Sequence, residues 1–199
     1  ARTWAMLRAL PMPTVLGNQD RLLMDAGPEE TNPALRAALG GLGAEGLAWL
    51  RALPATLRLP GGVLLCHGTP ACDTAYLLED VSTGLPAPRG CASVLADLAE
   101  AGDCSLVLAG HSHHPGLLRC GPFTLVNPGS VGLPAYDDDT PPHIMASGSP
   151  HAKYAVVFPT AHGWDADFVS VPYDWDAAAA LARANGRADW ARWLATGMA

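Results

Sequence analysis

Charge is scarce in this chain: Asp, Glu, Lys and Arg together make up 16% of its 199 residues, and the formal balance is −7. The shortage of basic residues excludes the positive stripe that a dedicated nucleic-acid binder presents. No apolar run approaches the length of a membrane span and no secretory signal is visible, so neither a membrane protein nor an exported one is expected. Cysteine is sparse and unpatterned, with five residues, an odd number, and no C-x-x-C pair. A structural zinc site would use paired thiolates and is therefore excluded. Cys66 lies inside the apolar run Val63-Leu64-Leu65 and reads as a reduced core thiol. Cys72 and Cys91 have no adjacent histidine base, which argues against a thiol nucleophile. Internal repeats and domain linkers are also missing. A cytoplasmic protein is the expectation.

What is present suffices for a substantial core, since 49% of the residues are hydrophobic. Thr3–Leu10 has helical spacing, Pro11 and Pro13 end it, and Pro13–Leu16 reads as a short buried strand. A helix feeding a strand is half of a βαβ unit whose opening strand is not in the sequence, so the chain is expected to lack its natural N-terminus. Asn32–Leu39 and Ala44–Leu53 read as helices separated by Gly40, Gly41 and Gly43. Leu57–Leu59 and Val63–Cys66 read as a hairpin turning at Pro60-Gly61-Gly62. Residues 71–89 show no periodicity and suggest a lid or pocket wall. A helix over Cys91–Ala101, strands over Ser105–Ala109 and Phe123–Val126, and a polar loop over Tyr136–Pro150 follow. Lys153–Phe158 and Asp165–Val171 predict a second hairpin, and Trp175–Asn185 and Asp189–Ala195 predict two closing helices, with Trp175, Trp190 and Trp193 as packing anchors.

Four motifs punctuate this alternation: Gly17-Asn18-Gln19-Asp20, His67-Gly68, Gly110-His111-Ser112-His113 and Asn127-Pro128-Gly129-Ser130. The first three each place a neutral oxygen or nitrogen donor just beyond an apolar, strand-like run. Loops held by buried strands bring such donors to one point. Asn18 offers an amide oxygen, which suits a hard-to-borderline divalent ion, and His111 with His113 can face adjacent metals. Convergent donors of this kind fit a metal centre for phosphate-ester hydrolysis. The carboxylates that would offset a two-metal charge do not precede these motifs. Asp137–Asp139 follow the last motif, in the wrong topological place to substitute. Asp20 reads either as an N-cap for the helix from Arg21 or as a group orienting backbone or ligand. His143, His151 and His162 would form a metal cluster only if their loops converge. His114 reads as a pocket-rim residue and Arg119 as a solvated charge.

The chain resembles the calcineurin-like metallophosphoesterase superfamily, in its bacterial YfcE-type phosphodiesterase branch. Gly17-Asn18-Gln19-Asp20 corresponds to the family's G-N-x-D/E, His67-Gly68 to its strand-end histidine, and Gly110-His111-Ser112-His113 to G-H-T/S-H. Asn127-Pro128-Gly129-Ser130-Val131-Gly132 corresponds to the branch's N-P-G-S-V-G. Further similarity runs through Trp49-Leu50 to Pro54, Tyr76-Leu77-Leu78 and Tyr173-Asp174, so it covers essentially the whole chain.

The resemblance implies an α/β fold, a four-layer α/β/β/α sandwich, here as one domain over residues 1–199 truncated before its first strand-helix-strand segment. It implies a metal-dependent phosphodiesterase or phosphatase acting on a small phosphoester through metal-activated water, with two divalent ions (Mn, Fe, Zn or Ni). Asn18, His67 and His111 would ligate one ion and His113 the other, and Asn18, Asp20 and His67 would form the catalytic set. The family's D-x-H and G-D motifs, including the bridging aspartate, do not appear upstream of Gly17; restoring them needs roughly 30 residues or more. The chain as it stands is therefore expected to bind one metal weakly and hydrolyse little. Gln19 stands where many relatives place a histidine proposed to protonate the leaving group, and glutamine is no acid. His151, in Ser149-Pro150-His151-Ala152, resembles the branch's pocket loop. The alternatives are a non-catalytic scaffold for protein binding, as in the retromer complex, and a nuclease, which the acidic balance disfavours.

Overall fold

The computed structural model describes residues 2–27 and 30–199; Ala1, Pro28 and Glu29 lie outside the described residues. The elements in chain order are α1 (Arg2–Ala9), α2 (Asn18–Asp25), α3 (Pro33–Arg51), β1 (Thr56–Leu59), β2 (Val63–Cys66), β3 (Glu79–Asp80), β4 (Ala87–Pro88) and α4 (Cys91–Asp97). They continue with β5 (Leu106–Leu108), β6 (Gly116–Cys120), β7 (Phe123–Asn127), β8 (Ala135–Asp139), β9 (Pro142–Ala146), β10 (Ala152–Thr160), β11 (Gly163–Val171), α5 (Trp175–Ala184) and α6 (Ala188–Thr196). This is the α/β class expected from the sequence.

The central sheet has five strands in the order β1-β2-β5-β7-β6. Its three middle strands are parallel, and the outer pairs are antiparallel hairpins. Parallel strands are buried on both faces, which is why Leu64, Leu106, Val107, Leu125 and Val126 form nearly unbroken apolar runs. Leu64, Val107 and Leu125 pack with Leu77, Val94 and Leu98 in the main core. The register aligns Leu65 with Leu108, and Leu108 with Val126. All three strands therefore end level with one another, and Gly110 N donates to His67 O (2.8 Å) while Ala109 N donates to Val126 O (2.9 Å). In open sheets of this kind ligands bind beyond the carboxyl ends of the strands.

Several local expectations change. Pro13–Leu16 forms no strand: its one backbone tie is Leu16 N to Pro54 O (2.9 Å), without a ladder among the described residues. The two helices after Asn32 merge into α3, kinked at Gly43 (φ 63°, ψ −173°), a conformation glycine adopts without penalty. The helix from Cys91 stops at Asp97, and β6 is added because its residues pair with β7. Of the two readings for residues 71–89 the pocket wall holds: Leu77, Leu78, Glu79 and Val81 are buried, and Leu78, Glu79 and Pro86–Pro88 line a pocket of about 250 Å³. The polar loop over 136–150 folds as the β8–β9 hairpin, since His143 and Met145 alternate inward while the aspartates face solvent. Arg119 is the solvated surface charge expected, more than half exposed, where it pairs with Asp165 (3.3 Å) and donates to Trp164 O.

Cys91 and Cys120 form a disulfide joining the start of α4 to the end of β6. Nothing in their spacing signals this, because the sheet alone brings the two residues together. Cys66 and Cys104 are buried free thiols, as expected for Cys66.

Candidate metal centre

Each donor is placed by a strand end or a helix start. α2 begins at Asn18 after Gly17, and Asp20 in its first turn accepts the Gly17 N–H (3.0 Å). Asp20 is thus not the N-cap; it fastens the turn that presents Asn18, and its burial raises its pKa against the opposing effect of that hydrogen bond. Arg21 grips Asp73 through two hydrogen bonds (2.8 and 3.0 Å), tying α2 to the loop after His67. The result is an approach of His67 Nε2 to Asn18 Oδ1 of 2.9 Å. Gly68 is required next, because a Cβ there would lie 2.5 Å from Ala75 O and 2.6 Å from Cys72 O.

His111 and His113 both adopt left-handed backbone (φ 64° and 58°), uncommon for residues with a Cβ. The clamp that imposes it is Asn127, which is fully buried. Its Nδ2 donates to Gly110 O (2.6 Å) and Ser112 Oγ (2.8 Å), and its Oδ1 accepts from Gly129 N (3.0 Å). The last motif therefore holds the third in place. His111 stacks on Tyr76 (4.9 Å between ring centres) and lies 5.2 Å from the His67 ring. Its Nε2 donates to Thr74 O (3.0 Å), leaving Nδ1 as the free lone pair. Tyr76 donates to His143 Nε2 and meets Tyr136 Oη, each at 2.8 Å, while His143 Nδ1 donates to Pro141 O (2.6 Å).

Burial drives the imidazoles towards the neutral form. It lowers His67 to about 4, helped by His111 and His113, and lowers His113 to about 4 and His111 in the same direction. Buried His113 Nδ1 has no hydrogen-bond partner among the described residues. A neutral imidazole with one nitrogen held by a carbonyl and the other unoccupied is how histidine presents itself to a metal. The protonation state of these imidazoles suits a metal, but among the described residues no group of three or more His, Cys, Asp or Glu side chains, His67, His111 and His113 included, is arranged to hold an ion.

Asn18, His111 and His113 line a cleft of about 710 Å³, with Gln19 and Ser130 beside them. The opposite wall escaped the sequence reading. It consists of Tyr136, Asp137 and Asp138 from β8, and Arg187, Asp189, Trp190 and Trp193 from the start of α6. Asp137 and Asp138 are therefore not remote from the motifs, because the β8–β9 hairpin carries them back to the cleft. Arg187 lies 4.4 Å over the Trp190 ring and is paired with Asp189 (2.6 Å). Trp193 is buried as anticipated, yet it also lines the cleft and its Nε1 has no partner among the described residues. His143 is committed to Tyr76, His151 to Ser149 Oγ (2.9 Å) and the Trp175 ring, and His162 lies in the β10–β11 turn; the three form no cluster. His151 does not line the cleft, and His114 lines a separate pocket.

Two solved structures share this fold. A metallophosphoesterase from Sphaerobacter thermophilus superposes with a TM-score of 0.72 at 23% identity, over 98% of this chain and 80% of that one. A hypothetical protein from Pyrococcus horikoshii OT3 gives 0.70 at 18% identity, over 97% and 76%. A comparison with curated proteins returns no match. Residues 2–147 match the calcineurin-like phosphoesterase superfamily domain, and the chain belongs to that superfamily.

Proposed function

We propose that this protein is a metal-dependent phosphoesterase acting on a small phosphoester in the Asn18–His113 cleft, as a phosphodiesterase or phosphatase of the YfcE type. The observation that carries the reading is the level ending of β2, β5 and β7, which gathers His67, His111 and the Asn127 clamp beside Asn18. In this reading Asn18, His67 and His111 hold one divalent ion and His113 a second; manganese, iron, zinc and nickel all suit such donors. A bound ion supplies an activated water and positive charge for the phosphoryl oxygens. Asp20 positions Asn18, while Asn127 and Tyr76 hold the histidine loop. Net charge of −7 keeps nucleic acid an unfavoured partner.

The test is manganese binding by calorimetry together with hydrolysis of bis(p-nitrophenyl) phosphate. Because the described donors include no convergent carboxylate set, weak binding of one ion and slow turnover are expected, both lost in His67→Ala. A protein that binds no manganese and hydrolyses nothing would instead be a scaffold. That second reading is favoured by exposed Tyr154, Val156 and Phe168 on the β10–β11 ribbon.

No helix of the described residues is long and apolar enough to cross a membrane. Cytoplasmic placement is proposed, and the Cys91–Cys120 disulfide is the observation that opposes it, since such bonds persist mainly in oxidising compartments. Alkylation of thiols in freshly lysed cells, followed by mass measurement, decides between them.

A further inference from the structure

The cleft that holds Asn18, His111 and His113 is larger than a phosphoryl group needs. At about 710 Å³ it falls among cavities of about 300–1,000 Å³ that bury a whole small-molecule ligand. Its two walls also differ in chemistry. The motif wall offers amide and imidazole donors, whereas the opposite wall carries three aromatic rings, Tyr136, Trp190 and Trp193. Trp193 is 4% exposed, so its part is mainly packing. Trp190 is only half-buried and lines the cleft from the first turn of α6. Arg187 lies over that ring, 4.4 Å from its centre, and is itself held by Asp189 through Nε (2.9 Å) and Nη2 (2.6 Å). The stack is thus ordered before any ligand arrives, which spares a ligand that cost.

Charge narrows what this wall accepts. Asp137, Asp138 and Asp189 line it beside one cation, Arg187, which Asp189 already neutralises. Asp137 and Asp138 are exposed, and neither forms an ion pair among the described residues. A second anionic group on a ligand would be repelled there. An aromatic ring is favoured instead, because its positive edge suits the carboxylates and its face suits Trp190; a saturated group gains only its buried area. We propose that the α6 wall is the specificity subsite of this cleft, taking an uncharged aromatic group carried on the ester oxygen and stacked at Trp190, and excluding esters that bear a second anion. The phosphate end of that ligand rests on the phosphoester reading above; the aromatic end does not.

The experiment is a ¹H–¹⁵N NMR titration that follows the Trp190 indole N–H and the Leu133 amide. The probes are 2-naphthol, its saturated counterpart decahydro-2-naphthol and its anionic counterpart 6-hydroxynaphthalene-2-sulfonate, all without metal, and then 2-naphthyl phosphate with manganese. Saturable shifts are expected with 2-naphthol, and affinity about tenfold lower for the saturated and the anionic probes. Trp190→Leu, which keeps apolar bulk and removes the ring, should weaken naphthol binding by about tenfold. The double change Asp137→Asn with Asp138→Asn should bring the sulfonate to within about threefold of naphthol. Gly132→Trp, at an exposed rim position whose Cβ meets open space, should block the cleft with Trp190 intact, and it decides the matter if Trp190→Leu does not fold. No saturable shift, equal binding of the saturated or the anionic probe, unchanged affinity in Trp190→Leu, a sulfonate unimproved by the double change, or retained binding in Gly132→Trp would each overturn the proposal. Naphthol binding to which the phosphate adds no affinity would uphold the aromatic subsite and remove the phosphoester reading, so the two fail separately.

Discussion

Replacing Asn127 by Ala removes one side chain and breaks the joint between two motifs. Three hydrogen bonds are lost, to Gly110 O, Ser112 Oγ and Gly129 N, in a position with no solvent exposure. Each is worth about 0.5–1.5 kcal/mol net, and a buried group left unpaired costs about 1–3 kcal/mol. A water entering the vacated space restores part of this, so the expected loss is about 3–5 kcal/mol. For a chain of this size that corresponds to a melting temperature lower by roughly 6–20 °C. Urea unfolding followed by circular dichroism measures it directly, with Asn185→Ala as the control. Asn185 makes a comparable amide bond, to Leu181 O (2.9 Å), at the exposed C-terminal cap of α5. That control should change stability by no more than about 0.5 kcal/mol. If Asn127→Ala also changes it by less than about 1 kcal/mol, the Asn127 clamp is not what holds His111 and His113 in their left-handed conformation.

Three further outcomes are expected. Gly68→Ala drives a methyl group against Ala75 O and Cys72 O, which are backbone and cannot swing aside; a loss of about 1–3 kcal/mol in denaturant unfolding, with loss of manganese binding at neighbouring His67, is expected. Glu79 has a folded pKa of about 7 against an ordinary value of 4.5, so the folded state holds its proton more tightly. Its contribution is full below pH about 4.5 and is lost as the pH rises through about 7, a difference of about 3 kcal/mol that a pH series of unfolding curves should show and Glu79→Gln should abolish. Cutting the Cys91–Cys120 disulfide with Cys91→Ser releases a loop of sequence separation 29, and the chain-entropy relation gives a destabilisation of about 3–4 kcal/mol; an unchanged melting curve, with or without reductant, would refute a structural role for the bond.

The parts of the site legible in the sequence were those that a strand or turn fixes locally. Val63–Cys66 and Ser105–Ala109 are apolar runs that can only be buried, so the residues just past them, His67 and His111, were identifiable as loop donors. The β1–β2 and β10–β11 hairpins followed from turn residues and alternation in the same way. The β8–β9 hairpin was misread because Asp137–Asp139 look like solvated loop, and the inward alternation of His143 and Met145 has meaning only once a partner strand is known. Asp20 was ambiguous for a related reason, since a carboxylate near a helix start serves as cap or clasp depending on where the helix begins.

The sequence alone therefore determined the ends of β2 and β5 and, beside them, His67, His111 and His113 as candidate donors, because hydrophobic runs and glycine turns act over a few residues. Only the tertiary structure decided what faces those donors. Tyr76 meets Tyr136 across 60 positions, Arg187 and Trp190 arrive from the start of α6, and Cys91 finds Cys120 through the packing of α4 on β6. Such contacts leave no periodic trace in the chain, since they depend on how separate elements stack and not on what any one element prefers.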